Sequence, residues 1–478
     1  MAQMTDLKTA GADETQANAG FRNRLKRFAD ESEGSFVVFS LFLLVCMMLA
    51  VGIAVDVMRF ELTRTKLQNT LDRAVLAAAD MDQTLEPEAV VADYFEKAGL
   101  GNFNIDISVD EGLNFRNVSA STEAEIRTLL MSLVGINNFT APASSTAEER
   151  VSNVEISMVL DISGSMGSND KIENLRVAAR EFIDSVVVDD AEGQISLSLV
   201  PYTAQVNAGP NIFNQLNKSS NGRHNYSHCI DFDSSDFNTT TISMTKSYQQ
   251  MQHFEWSSED YRPIRNPGCP MQDYERIVPL SKNTTELKNT INNYRARANT
   301  AIHLGMKWGT ALLDPSMRNI VNTLEASGVV DDEFRGRPAD YDDEETLKVV
   351  VLMTDGENVD TYRIQDWAYN SSSEYQHWDN YSLWYYLYRY VNSRNRGQYY
   401  YRKYSSEQAD SMLDNICTAA KTAGITVFTI GFEVTNYSAG VMQNCASSPS
   451  HFFRVEGTEI SEAFSAIARQ INQLRLIN

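Results

Sequence analysis

The chain has 478 residues, enough to bury a sizeable core in two or three domains, and this excludes a small stapled scaffold. Its 63 acidic against 41 basic side chains give a net charge of −22, which argues against nucleic acid as a partner because phosphate binding rests on clustered Lys and Arg. No GxSxG elbow, no GxxxxGKS or GxxxxGKT loop and no HExxH helix occurs, so the common hydrolase and NTP-binding signatures are missing.

In chain order, residues 1–33 are polar and without apolar periodicity, and they read as a disordered cytoplasmic tail. Between Glu33 and Asp56 lie 22 uncharged residues, GSFVVFSLFLLVCMMLAVGIAV, which as a helix reach about 33 Å and span a bilayer. A cleaved signal peptide has an apolar core of only about 7 to 15 residues, so a retained anchor over residues 34–58 is the better reading. Arg22, Arg24, Lys26 and Arg27 precede the span and Arg59, Arg64, Lys66 and Arg73 follow it, so the positive-inside rule barely discriminates orientation.

After the span, Leu62, Leu67, Leu71, Val75 and Ala78 keep helical spacing, and the membrane helix is expected to continue as a stalk. Val90, Val91, Tyr94 and Phe95 mark a second helix. Ile105, Ile107 and Val109 alternate as a strand, and NFRNVSASTEAEI offers another. Residues 59–150 therefore read as a small α+β stem.

From Val154 strands alternate with helices, the mark of a parallel sheet. VEISMVLD, ISLSLVPYTA, TLKVVVLMT and ITVFTIGF are the strands. KIENLRVAAREFIDSVV, TTELKNTINNYRA, AIHLGMKWGTALL and EISEAFSAIARQINQLRL are the helices. Two segments interrupt the alternation. Residues 205 to about 280 are rich in Asn, Ser, Thr and aromatics. Residues 357–406 hold 12 of the 21 tyrosines and three of the five tryptophans, a density suited equally to a binding surface and to packing the insertion onto the sheet.

Cys46 falls in the span, and Cys229, Cys269, Cys417 and Cys445 lie downstream. An even number there favours an oxidising compartment. Of the three connectivities, Cys229 with Cys269 and Cys417 with Cys445 is preferred because each pair brackets one local segment. Zinc is disfavoured, since no CxxC pair occurs.

The most informative stretch is VEISMVLDISGSM, where an apolar strand ends in Asp161, Ser163 and Ser165. In open α/β sheets ligands bind beyond the carboxyl ends of such strands, and one carboxylate with two hydroxyls suits a hard divalent cation. An ordinary capping turn is the competing reading. Thr300, just before a helix, and Asp355, after the strand VVVLMT, would lie at the same edge of a parallel sheet and converge on the same point. The six scattered histidines, and the acidic run DYDDEE at 340–345 without the ligand spacing of an EF loop, carry no comparable signal.

DISGS, Thr300 and TDGEN resemble the metal-ion-dependent adhesion site (MIDAS) of von Willebrand factor A domains, with all five positions filled. The resemblance implies a doubly wound, mostly parallel, Rossmann-like α/β domain over 151–478. It also implies Asp161, Ser163, Ser165, Thr300 and Asp355 around a cation, with Ser163 and Ser165 as direct ligands and Asp161 and Asp355 acting through water. Mg²⁺ is the expected ion, with Ca²⁺ or Mn²⁺ as alternatives, and an acidic group of a protein partner completes the shell. The anchor with VDVMRFELTRTKLQNTLDRAVLAAAD resembles the amino-terminal segment of TadG-like proteins of the tight-adherence (Flp) pilus system, and GMKWGTALLDP and QINQLRL fit the same pattern. Gly34 is not followed by Glu at the fifth position, so no prepilin peptidase site is expected, and the Tyr-rich insertion exceeds what a minimal family member needs.

The implied function is metal-dependent binding or adhesion without catalysis, in Flp pilus assembly or surface attachment. A single-pass anchor in the bacterial inner membrane would carry the large C-terminal region in the periplasm, with the outer surface as the alternative. A divalent-metal-dependent hydrolase and an envelope scaffold with a purely structural metal are the competing readings.

Overall fold

Forty-seven residues, Glu33–Ala79, form one continuous helix. This is seen in a computed structural model that describes residues 33–80, 83, 85–111, 115–150, 153–187, 194–343 and 345–477. The polar leader, apart from Glu33, lies outside the described residues. The chain divides into two compact units, Met1–Glu149 and Arg150–Asn478.

In the first unit the helix is long and apolar enough to cross a membrane, and large side chains such as Phe36, Phe42 and Met48 are exposed along its amino-terminal half. Its carboxyl-terminal half is different. Leu67, Leu71, Ala74, Val75 and Ala78 recur at helical spacing and are buried. They pack with Val90, Val91 and Phe95 of the helix Pro87–Lys97 and with Val118, Ala120 and Ala141 of a sheet. That sheet has the order β1-β2-β3, from β1 (Ile105–Glu111), β2 (Phe115–Arg127) and β3 (Asn138–Arg150). The third strand has no counterpart in the sequence reading, because NFTAPASSTAEER offers small and polar residues where alternation needs large apolar ones.

In the second unit the central strands are buried on both faces because helices cover both. Apart from the partly buried Asn153 at its start, β4 (Asn153–Asp161) is buried throughout, as is all of β5 (Ile195–Tyr202). Two short hairpin strands, β6 (Ile230–Asp231) and β7 (Gln249–Gln250), pair in the first insertion. The main sheet continues with β8 (Val278–Ser281) and β9 (Thr346–Thr354). The second insertion holds the antiparallel ribbon β10 (Thr361–Ile364) and β11 (Tyr400–Tyr404), after which β12 (Thr426–Phe432) and β13 (Phe452–Val455) return to the main sheet. The order is β13-β12-β9-β4-β5-β8, all neighbours parallel except β8, which runs antiparallel at the edge.

Helices Lys171–Val186, Thr284–Asn292 and Glu459–Ile477 cover one face, where Leu175, Phe182, Leu287 and Phe464 meet Ile156 and Met158. Helices Ile302–Ala311, Arg318–Ala326 and Ser406–Thr422 cover the other. Gly305 and Gly309 set the first of these directly on β4, since a Cβ at Gly309 would lie 2.4 Å from Val159 Cγ2.

The strand order reverses between β4 and β9, so their carboxyl ends form the switch-point crevice. Disulfides join Cys229 to Cys269 and Cys417 to Cys445. The two insertions share one small core, in which Cys229, Phe254 and Cys269 pack with Ile364, Trp378, Leu383 and Leu387. Many of the Tyr-rich segment's rings thus pack inward, while Trp367, Tyr388 and Tyr390 stay exposed.

Candidate functional site

The oxygen-bearing side chains singled out in the sequence meet at the switch point. Asp161 ends β4, Ser163 and Ser165 occupy the turn after it, and Asp355 directly follows β9. Thr300 comes from the loop before the helix Ile302–Ala311. That loop is latched on both sides: Gly164 N donates to Ala298 O at 3.0 Å, Arg297 N to Ile162 O at 3.0 Å, and Val359 N to Thr300 O at 3.3 Å. A Cβ at Gly164 would stand 2.9 Å from Ala298 O, so the close approach of turn and loop requires glycine there.

Four of the side chains form a hydroxyl relay. Thr300 Oγ1 donates to Ser163 Oγ at 2.9 Å, Ser163 and Ser165 hydroxyls lie 3.0 Å apart, and Ser165 Oγ donates to Asp355 Oδ1 at 2.6 Å. Each hydroxyl has one proton, so the direction is fixed: every O–H points along the chain toward Asp355. Asp161 takes a different part. Its Oδ1 accepts from Ser163 N at 2.8 Å and its Oδ2 from Thr354 Oγ1 at 2.7 Å, so it braces the turn that carries both serines.

Burial and the nearby charge of Asp355 push the Asp161 carboxyl up to about 6. The Tyr202 hydroxyl, 3.0 Å from Met353 O and 3.4 Å from Asp161 Oδ2, is pushed up by burial and by the Asp161 charge. Lys171 Nζ lies 3.0 Å from Asp355 Oδ2 and 3.6 Å from Glu433 Oε2, balancing the two carboxylates. Tyr202, Thr354, Lys171 and Glu433 were not singled out in the sequence. Thr354 had a signal in its place beside Asp355, and Tyr202 in its place at the end of a neighbouring strand.

The donor set fits a hard cation on two counts. It consists only of carboxylate and hydroxyl oxygens. The spacings of 3.0 Å between the serines and 2.9 Å between Ser163 and Thr300 also match the roughly 3.0 Å between adjacent oxygens of an octahedron with bonds of about 2.1 Å. Among the described residues no cluster of three or more His, Cys, Asp or Glu is arranged to hold a metal, so hydroxyls are indispensable to this set. Ser165 is exposed while Ser163, Thr300 and Asp355 are buried, which leaves one open side.

Beside Gly164 and Thr300 opens a cavity of about 520 Å³ walled by both insertions, with Phe254, Trp256, Tyr362, Arg297 and Arg363 in its lining. Asn358 fixes its rim, accepting from Ile302 N at 2.7 Å and donating to Asp410 at 2.8 Å. The histidines take no part in the relay. Burial holds His303 down at about 4, with its Nδ1 3.1 Å from Asn358 Oδ1, and His253 pairs with Asp379 at 3.1 Å.

The strand order and the crevice define a doubly wound, mostly parallel α/β domain. Residues 34–81 match the family model described as putative Flp pilus-assembly TadE/G-like.

Among solved structures the chain is similar to the von Willebrand domain of the type V pili tip protein Mfa5 from Porphyromonas gingivalis. They are 15% identical over 69% of this chain and 97% of that one, with a TM-score of 0.35. The pilus adhesin RrgA from Streptococcus pneumoniae is 12% identical over 77% of this chain and 49% of that one, with a TM-score of 0.31. Proximal thread matrix protein 1 from the mussel byssus, with a zinc-occupied MIDAS motif, is 13% identical over 68% and 46%, with a TM-score of 0.28. No curated protein matches the sequence. The fold class rests on this chain's own strand order.

Proposed function

We propose that this is a membrane-anchored, metal-dependent binding protein of the bacterial envelope that acts in Flp pilus assembly or surface attachment. The observation that carries the reading is the relay Thr300–Ser163–Ser165–Asp355 at the switch point, braced by Asp161. A divalent cation held there, Mg²⁺ first among the choices, supplies a Lewis-acidic position for the carboxylate of a partner protein. Ser163, Ser165 and Thr300 present hydroxyl oxygens to it. Asp161 and Asp355, already committed to holding the turn and the relay, supply charge from behind through water.

The role is binding and not catalysis, because both carboxylates of the site are engaged in fixing its geometry. The TadE/G-like segment at 34–81 supports the pilus setting and an inner-membrane anchor. The two disulfides support a periplasmic location for the larger unit, since such bonds persist in oxidising compartments.

The test is capture of envelope components of the producing bacterium by the full chain, in Mg²⁺ and in EDTA, with Thr300→Val as control. The reading predicts pilus-assembly components in the Mg²⁺ eluate, absent with EDTA and with T300V. An identical set under all three conditions would contradict it.

A further inference from the structure

The turn between β2 and β3, residues 129–136 with sequence LLMSLVGI, carries four exposed large apolar side chains: Leu129, Leu130, Leu133 and Ile136. Leu133 is 72% exposed. In water such a tip is a liability, and a cluster of this kind marks a contact surface. The tip is nonetheless tightly built. Thr128 pinches its neck, with its N donating to Asn137 O at 3.0 Å and its Oγ1 to Ile136 O at 2.5 Å. Gly135, at φ +91°, closes the 3₁₀ turn Met131–Val134.

The long helix fixes where this tip lies. Asp56, 2% exposed, accepts three backbone N–H groups from the tip, Leu129 at 2.9 Å, Leu130 at 2.9 Å and Met131 at 2.9 Å. One turn earlier, on the same face, Gly52 lies under Leu130 so closely that a Cβ there would stand 2.3 Å from Leu130 Cδ1. Gly52 belongs to the uncharged run that ends at Val55, about 6 Å toward the apolar side of Asp56. The tip therefore lies alongside the end of the apolar segment. At its neck Arg59 donates to Arg127 O at 3.4 Å, which places cationic side chains on the polar side of the boundary.

We infer that the Leu129–Ile136 tip is a second membrane-inserting element, seated in the acyl region of the leaflet beside the anchor helix and locked to it by Asp56 and Gly52. The partner is the lipid bilayer itself, and the argument is continuity: the exposed leucines extend the apolar surface of a helix already fitted to lipid. The three N–H groups satisfy Asp56, which lets a carboxylate stand at the edge of the hydrocarbon region. The inference rests on the anchor reading above. Two points of attachment would set the stem's orientation on the membrane, which a single helix leaves free to rotate.

The experiment places an environment-sensitive fluorophore on single cysteines of the full chain, with Cys46→Ala as background, in phosphatidylcholine–phosphatidylglycerol vesicles carrying doxyl-labelled lipid. Leu133→Cys tests the tip, Phe42→Cys the anchor and Ser121→Cys an exposed strand position. Expected is a blue-shifted L133C emission quenched several-fold more strongly than S121C, with F42C also quenched. If F42C is quenched and L133C behaves as S121C does, the tip inference is overturned while the anchor stands. If L133C is blue-shifted but unquenched, a second protein copy covers the tip and the inference is equally overturned. An unquenched F42C overturns the anchor reading and the inference with it.

Discussion

Lys171 holds its ammonium 3.0 Å from Asp355 Oδ2, at the carboxylate where the hydroxyl relay ends. A cation entering the site meets that ammonium at close range, while without a cation the ammonium balances Asp355 and Glu433. Lys171→Met is therefore expected to tighten divalent-metal binding by about 10-fold, roughly 1.4 kcal/mol, and to lower the thermal midpoint of the metal-free protein. Calorimetric titration with Mg²⁺ checks the first effect and scanning calorimetry in EDTA the second. Weaker metal binding in K171M would show that Lys171 builds the site and does not oppose its occupant.

Asp161 sets the pH dependence. Its folded value of about 6 is raised above that of an unfolded aspartate, so protonation favours the metal-free fold. That contribution is complete below about 4 and is lost as pH rises through about 6. Metal competes with the same proton, so metal stabilisation has the opposite trend. The gap in thermal midpoint between Mg²⁺ and EDTA should widen from pH 5 to pH 7 and then level off. A gap independent of pH over that range would remove Asp161 from the metal's surroundings.

The wall of the cavity depends on a buried ion cluster. Arg363 grips Asp231 through two nitrogens, at 2.6 and 3.1 Å, and Lys403 adds a third contact at 2.9 Å. Burial pushes the Asp231 carboxyl up, yet Arg363 and Lys403 more than offset it and hold it at about 2. Its contribution to stability is therefore present above about 4 and lost as pH falls toward 2. Arg363→Met leaves a buried carboxylate short of its main partner, and a loss of about 3 to 5 kcal/mol in denaturant unfolding is expected. A loss below about 1 kcal/mol would show that Lys403 alone suffices.

Cys229–Cys269 closes 40 residues and lies in the core shared by the two insertions. The double variant Cys229→Ser with Cys269→Ser should cost about 2 to 4 kcal/mol. The loss should first appear as proteolytic cleavage within 205–280, while the sheet face covered by Leu175, Phe182 and Phe464, whose buried core draws on neither insertion, stays protected. Simultaneous cleavage of sheet and insertion would show that the insertions are integral to the domain's cooperativity.

Asp161, Ser163 and Ser165 were legible because an apolar run stopping in spaced oxygens is a local pattern. Thr300 and Asp355 were legible once strands were taken as parallel, which puts their ends on one edge. Tyr202 and Thr354 needed strand register. Tyr202 faces Asp161 across β4 and β5, and no local feature fixes that pairing. Lys171 and Glu433 depended on which helix and which strand end lie beside the site. The short edge strand β8 has only four residues, too few for a period, and it fell at the margin of what read as a loop insertion. The inward packing of the Tyr-rich segment was one of two open readings, since composition does not say which rings meet a partner element.

The metal site itself is tested most directly by isothermal titration of Mg²⁺ into the full chain in detergent, beside Ser163→Ala and Thr300→Val. One saturable site is expected for the natural chain, with affinity falling at least about 30-fold in each variant and circular dichroism unchanged. Titrations superimposable across all three proteins would contradict a cation held by this relay.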